Sequence, residues 1–162
     1  MSIHMWNYGI VSMLFLVAKN MPEDFSQDLI KDYTYWKVNV HQNQSYLGRC
    51  VVWCKRDDAL DMTDATPEEH QELLQILKEL RWAALELFNP DWLNYAFLGN
   101  EMRHLHGHFI PRYATKRTFA GVEFEDKLYG HNYQTDRIFV TSFELRQEIK
   151  NQYIQALIRL AA

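Results

Sequence analysis

Apolar and polar residues alternate along Tyr33-Thr34-Tyr35-Trp36-Lys37-Val38-Asn39-Val40, and the stretch is rich in β-formers, so it predicts a strand over residues 33–40. Gln42-Asn43-Gln44-Ser45 is a polar turn. Cys50-Val51-Val52-Trp53-Cys54 is then apolar throughout, a pattern that predicts a strand covered on both faces. Thr66-Pro67-Glu68-Glu69 opens a long helix, with Thr66 as N-cap, Pro67 in the first turn and Glu69 three residues after the cap. Leu73, Leu77, Leu80, Ala84 and Leu87 share one face of it, and Asn89-Pro90 ends it.

Two further strands are expected at residues 92–98 and 103–110, separated by a turn at Gly99-Asn100. Ser142 caps a final helix whose Leu145, Ile149, Tyr153, Ala156 and Leu160 fall on one face. Residues 113–141 have no period and are long for a structureless loop, so this segment is either functional or packed over the sheet. Strands, helix, strands, loop, helix is the order of an α+β domain built on an antiparallel sheet. Residues 9–18 form an unbroken weakly polar to apolar run that is too short to span a bilayer and has no preceding Lys or Arg to make it a secretory signal. The expectation is an apolar extension over residues 1–21, packed on the domain or on a partner subunit, followed by a single domain over residues 22–162. A start at Met21 would make residues 1–20 a leader.

Composition bounds the class. In 162 residues, 48% hydrophobic and 14% aromatic side chains are enough to offset ordering entropy, which excludes a disordered tail. Two cysteines exclude a disulfide scaffold; Cys50 and Cys54 read as small buried apolar side chains in a reducing compartment, hence a cytoplasmic location. A net charge of −4 excludes a general nucleic-acid binder. The charge is uneven, however. Residues 102–122 hold Arg103, Arg112, Lys116 and Arg117 with no Asp or Glu, +4 against −8 for the remainder, and read as a local attraction for phosphates.

That window contains His104-Leu105-His106-Gly107-His108-Phe109-Ile110-Pro111-Arg112. On a strand the three histidines face one side while Leu105, Gly107 and Phe109 face the other. A polar row beside such apolar neighbours must be paired or solvated, so an ordinary structural role for all three is hard to sustain. One reading is a metal site. Same-face neighbours are roughly 6.6 Å apart, so two of the histidines can share an ion, but the outer pair, about 13 Å apart, cannot converge on it. The other reading is nucleophilic catalysis, because an imidazole with an ordinary pKa of about 6.5 can attack phosphorus and leave a labile phosphoramidate.

The motif resembles the signature of the histidine triad, or HIT, nucleotide hydrolases and transferases, His-φ-His-φ-His-φ-φ with φ apolar. Asn94-Tyr95-Ala96-Phe97-Leu98-Gly99-Asn100 and Gln44-Ser45-Tyr46-Leu47-Gly48-Arg49-Cys50-Val51-Val52 are similar to the subgroup of bacterial diadenosine polyphosphate hydrolases, and the resemblance spans roughly residues 30–115. It implies a sheet of about five antiparallel strands with the long helix packed on it and a C-terminal helix. His106 would be the nucleophile, His108 would touch the phosphate and the leaving oxygen, and His104 would belong to the hydrogen-bonded row that orients His106. Gly99 and Asn100, with Asn94 upstream, match the turn that holds the α-phosphate, and Arg112 would add a phosphate contact.

Two departures matter. Arg49 stands where many relatives have a fourth histidine, and it can hold polyphosphate but cannot accept a proton. The residue that contacts ribose in relatives falls near His41 and Asn43. The resemblance therefore implies hydrolysis of diadenosine polyphosphates or related AMP esters and phosphoramidates through a nucleotidyl-histidine, releasing AMP. The alternatives are a nucleotidyl transferase or phosphorylase on the same fold, or a non-enzymatic nucleotide-binding protein. No metal site and no required cofactor are expected, although a divalent cation such as Mg could arrive with the polyphosphate. The expected partners are a small nucleotide and a second copy in a homodimer, with no nucleic acid and no membrane.

Overall fold

The computed structural model describes residues 25–162. The expectations for the run at residues 9–18 and for the extension over residues 1–21 lie outside them. After a single 3-10 turn at Phe25–Asp28 come β1 (Leu29–Asp32), β2 (Trp36–Val40), β3 (Cys50–Cys54), α1 (Pro67–Phe88), β4 (Trp92–Ala96), β5 (His106–Arg112), β6 (Arg117–Phe119), β7 (Val122–Phe124) and α2 (Phe143–Ala161). The first five strands form one antiparallel sheet in the order β1-β2-β3-β5-β4, and β6 and β7 form a separate hairpin. This is the α+β architecture the pattern predicts.

The helix signals act as read. Thr66 Oγ1 accepts from the Glu69 amide at 3.2 Å while the Glu69 carboxylate accepts from the Thr66 amide at 2.8 Å, which satisfies two otherwise orphaned donors. Asn89 takes the left-handed conformation at φ 46° and ends α1. Ser142 Oγ caps α2 by accepting from the Leu145 amide at 3.1 Å. Both helices pack on one face of the sheet and on each other, where Leu73, Ile76, Leu80, Ala83, Ile149, Tyr153 and Ala156 join Trp36, Val38, Val52 and Phe109 in the core. On α2 the buried position is Leu157; Leu160, expected on that face, is exposed.

Several boundaries differ for local reasons. The strand expected at residues 33–40 begins at Trp36, because the amides of Thr34 and Tyr35 donate to the Glu72 carboxylate and bend the chain back from β1. The strand expected at residues 92–98 stops at Ala96. The one expected at residues 103–110 starts at His106 and runs to Arg112, so His104 precedes it. Residues 113–141 do pack over the sheet. Their β6–β7 hairpin extends the core through Phe124, and Arg112 holds the stretch beyond by donating to the carbonyls of Leu128 and His131.

The strand β3 was expected to be covered on both faces. Cys50, Val52 and Cys54 are fully buried under the helices, but Val51 and Trp53 are only half-buried on the opposite face. Among the described residues no second layer covers them, and they are part of the lining of a cavity.

Candidate active site

Sheet register builds the floor of this cavity. On the face away from the helices, Lys37 of β2, Trp53 of β3 and His106 of β5 stand in one cross-strand row, and Asn39, Val51, His108 and Ala96 stand in the next. His106 and His108 therefore share a face, as period two requires. Gly107, between them, points the other way, where the Phe97 ring comes so close that a Cβ would lie 2.4 Å from it. Glycine at that place in the motif is what lets β5 lie against Phe97.

The cavity above this floor holds about 820 Å³ and is lined by His106, His108, His41, Arg49, Asn100, Tyr133 and Thr135, among others. That is room for a nucleotide-sized ligand. Ring contacts cross it in sequence. His106 lies edge-on to His108 with centroids 5.4 Å apart, and His108 lies 5.5 Å from His41.

The two central imidazoles are held in complementary tautomers. His106 Nδ1 lies 2.7 Å from the backbone carbonyl of His104. A carbonyl only accepts, so Nδ1 carries the hydrogen and, in the neutral ring, Nε2 keeps its lone pair. His108 Nδ1 faces the Arg49 guanidinium at 3.4 Å. Arginine only donates, so here Nδ1 accepts and Nε2 carries the hydrogen. One ring presents a nucleophilic nitrogen and its neighbour a hydrogen-bond donor. Burial, followed by the positive charge of Arg49 and then His106, lowers the His108 pKa to about 4; burial, then Arg49 and His108, lowers that of His41 to about 3.

Arg49 supplies the cation. It is 3% exposed, donates to Thr135 Oγ1 at 2.8 Å and lies 5.6 Å from the Tyr133 ring centre, while its Nε has no hydrogen-bond partner. Among the described residues no carboxylate pairs with it. A buried guanidinium without a counter-ion is costly, and an anion at this point would remove that cost.

The remaining sequence-read residues divide. Asn100 lines the mouth of the cavity, whereas Gly99 does not. Asn43 turns away, donating to the Asp136 carbonyl at 2.8 Å and accepting from the Ser45 amide at 3.0 Å. The His104 ring is not part of a hydrogen-bonded row. It is buried, stacks on Trp53 with centroids 4.1 Å apart, and finds no partner of good geometry at either ring nitrogen. Burial, then His106, lowers its pKa. The His104 carbonyl, not its ring, orients His106.

Arg112 is committed to the fold. Its Nε and Nη2 pair with Asp126 at 2.6 and 3.1 Å, and its other donors meet Asn94 Oδ1 and the carbonyls of Leu128 and His131. Asn94 and Arg112 line a neighbouring cavity instead. Three of the four cations in the basic window at residues 102–122 are likewise paired from outside it: Asp126 with Arg112, Glu123 with Lys116 and Asp91 with Arg117, which leaves Arg103. The expected local attraction for phosphates therefore does not come from these three. Trp53, Tyr133 and Thr135 were not read as site residues: Trp53 sits in an apolar run that predicts cover on both faces, and the length of the aperiodic segment was the only signal for Tyr133 and Thr135. Among the described residues no group of three or more His, Cys, Asp or Glu is placed to hold a metal ion, and no helix is long and apolar enough to cross a membrane.

Residues 37–115, which include β2, β3, β5 and all three histidines of the motif, match the HIT domain family model. Over these residues the chain matches the histidine triad class. Its fold is similar to that of a hypothetical histidine triad nucleotide-binding protein from Sulfolobus tokodaii, with TM-score 0.62 and 13% identity over 92% of this chain and 93% of that one. It is also similar to a histidine triad protein from Bradyrhizobium japonicum, with TM-score 0.59 and 24% identity over 86% and 96%. A third similar structure is the diadenosine triphosphate hydrolase of Plasmodium falciparum, with TM-score 0.61 and 14% identity over 88% and 82%. Comparison with curated proteins gave no significant match.

Proposed function

We propose that the protein is a nucleotide hydrolase that cleaves at the α-phosphorus of diadenosine polyphosphates, or of related AMP esters and phosphoramidates, and releases AMP. The observation that carries this reading is the pair of opposite tautomers, His106 with a bare Nε2 beside His108 with an Nε2–H.

In the first step on a diadenosine polyphosphate, His106 Nε2 forms a bond to the α-phosphorus and the bond from phosphorus to the bridging oxygen breaks; on a phosphoramidate the P–N bond breaks instead, and the nitrogen leaves as an amine after taking a proton from solvent. The leaving phosphate takes that electron pair and receives a hydrogen bond from His108 Nε2–H. Arg49 offsets the negative charge of the phosphates, which meet a buried cation that has no carboxylate of its own. In the second step a water oxygen bonds to phosphorus, the P–N electrons return to His106 Nε2, and the water's proton leaves to solvent. Polyphosphate is already a stable anion as it departs, so a neutral donor suffices and His108 need not be protonated beforehand. His41 lies on the cavity wall beside His108, which supports a role for it in contacting the sugar. Mg would enter only with the polyphosphate. A cytoplasmic homodimer completes the proposal; the exposed Leu74, Trp82 and Leu85 of α1 give a second copy an apolar surface, and mass in solution tests it.

Product analysis over diadenosine polyphosphates, AMP phosphoramidate and nucleotide sugars tests the reading. AMP should appear from the first two, and His106→Ala should slow its release by roughly 10³-fold or more. Release at the parent rate by that variant would refute it. Transfer of the nucleotidyl group to phosphate in preference to water would replace hydrolase by transferase.

A further inference from the structure

The histidine cavity is bordered at Tyr133 and Thr135 by another one. On the same face of the sheet lies a second cavity, also of about 820 Å³, and Leu98, Tyr133 and Thr135 are walls of both. Its floor is where β4 and β5 run on: Ala96 stands opposite His108, Asn94 opposite Ile110 and Trp92 opposite Arg112. Its near end is thus one strand spacing, about 5 Å, from His108. Residues 128–135 form its far wall, anchored where Arg112 donates to the carbonyls of Leu128 at 2.7 Å and His131 at 2.9 Å.

The two cavities differ in chemistry. The first contains three imidazoles and a buried cation with no counter-ion among the described residues. In the second, the one Lys or Arg among the lining residues is Arg112, which is neutralised by Asp126 and has every donor engaged. What remains on offer is aromatic surface and amides. Trp92 and Tyr129 line this cavity, 67% and 39% exposed, with Asn132 and Gln134 beside them. Stacking surface edged by amides, without free charge, suits a flat uncharged heterocycle.

We propose that the second cavity is the subsite for the far base of a two-ended nucleotide. The substrate remains the diadenosine polyphosphate proposed above, and this cavity takes its second base. The first nucleotide sits over β2 and β3 with its phosphorus at His106, and the polyphosphate passes His108 and Arg49. The second base passes Tyr133 and Thr135 to reach Trp92 and Tyr129. This inference rests on the reading of His106 and His108 given above.

The test is calorimetric binding of diadenosine tetraphosphate and of adenosine tetraphosphate, which has the same number of phosphates and a single base. Both are measured with the full chain and with the double variant Trp92→Ala, Tyr129→Ala, whose folding is checked by its melting temperature. The full chain should bind the two-ended nucleotide at least about tenfold more tightly, the stacking contribution of one base. The double variant should lose that advantage while its affinity for adenosine tetraphosphate stays within about twofold. Equal affinities in the full chain, or equal weakening of both ligands in the variant, would overturn the subsite. Preferential two-ended binding that the variant abolishes, without AMP release by the full chain, would uphold the subsite and overturn the hydrolase reading.

Discussion

His106 Nδ1 donates to the backbone carbonyl of His104 at 2.7 Å, so the residue that orients the nucleophile does so through its main chain. The His104 side chain does something else. It stacks on Trp53 and leaves two ring nitrogens buried without a partner of good geometry. Replacing the ring should therefore spare the tautomer. His104→Phe keeps the stack and removes the orphaned polar atoms, so it should stabilise the fold by about 1 kcal/mol and keep the rate within tenfold of the parent. Denaturant unfolding and AMP release check the two halves. A loss of activity as deep as that of His106→Ala would show that the ring itself is required.

Arg49 should make stability and binding change in opposite directions. Arg49→Met removes a buried charge that no carboxylate among the described residues balances, so the unliganded fold should gain roughly 1–3 kcal/mol. The same change removes the cation beside His108 and should weaken nucleotide binding by roughly 100-fold. Arg49→Lys should recover only part of the affinity, because an ammonium cannot engage Thr135 and His108 at once as the planar fork does. Melting curves and calorimetry measure both.

Arg112 should behave as a structural residue. Its guanidinium is paired with a carboxylate that is 1% exposed, so Arg112→Ala leaves Asp126 buried and uncompensated and should cost roughly 3–5 kcal/mol. The double variant Arg112→Met, Asp126→Leu should recover much of that stability. If Arg112→Ala instead left the melting temperature unchanged and raised only KM, the phosphate contact read from the sequence would be restored.

Acid should destabilise the protein through His41 and His108. In the unfolded chain both titrate near 6.5; in the folded chain burial, with Arg49 the next cause for each, lowers them to about 3 and about 4. Below pH 6.5 the unfolded state binds more protons, so stability is fully present above that pH. It is lost as pH falls towards 4 for His108 and 3 for His41, by up to about 1.4 kcal/mol per pH unit for each ring. Urea unfolding between pH 7 and 5 should show this slope, and His41→Gln should roughly halve it. Binding of AMP at pH 5.5 should take up protons, because the phosphate raises the pKa of His108 and offsets the charge of Arg49.

Local signals in the sequence were sufficient for both helices and for β2 to β5, but not for β1 or the β6–β7 hairpin. The capping box at Thr66 and Glu69, the Asn89 stop and the Ser142 cap are short-range physics, and they lie where the pattern puts them. The shared face of His106 and His108 follows from period two alone. Long-range partners were not legible. Nothing local says that Asp126 neutralises Arg112, which turned a basic window into an apparent phosphate patch. Nor does local pattern show that residues 128–135 fold over the sheet, so Tyr133, Thr135 and the second cavity went unread. His104 falls off the strand because the amide of its neighbour Leu105 donates to the Ala59 carbonyl, although the Leu105 carbonyl still accepts from Cys54 in register with β3. That pairing spans about fifty residues and leaves no periodic trace.

The central claim is that His106 Nε2 attacks phosphorus, and intact-mass analysis of the protein quenched in alkali within milliseconds of mixing with diadenosine tetraphosphate tests it most directly. The expected result is one transient adenylyl group, located on His106 by peptide mapping, labile to acid and absent from His106→Ala. Steady AMP release with no adduct at any time, or an adduct on another residue that persists in His106→Ala, would contradict it.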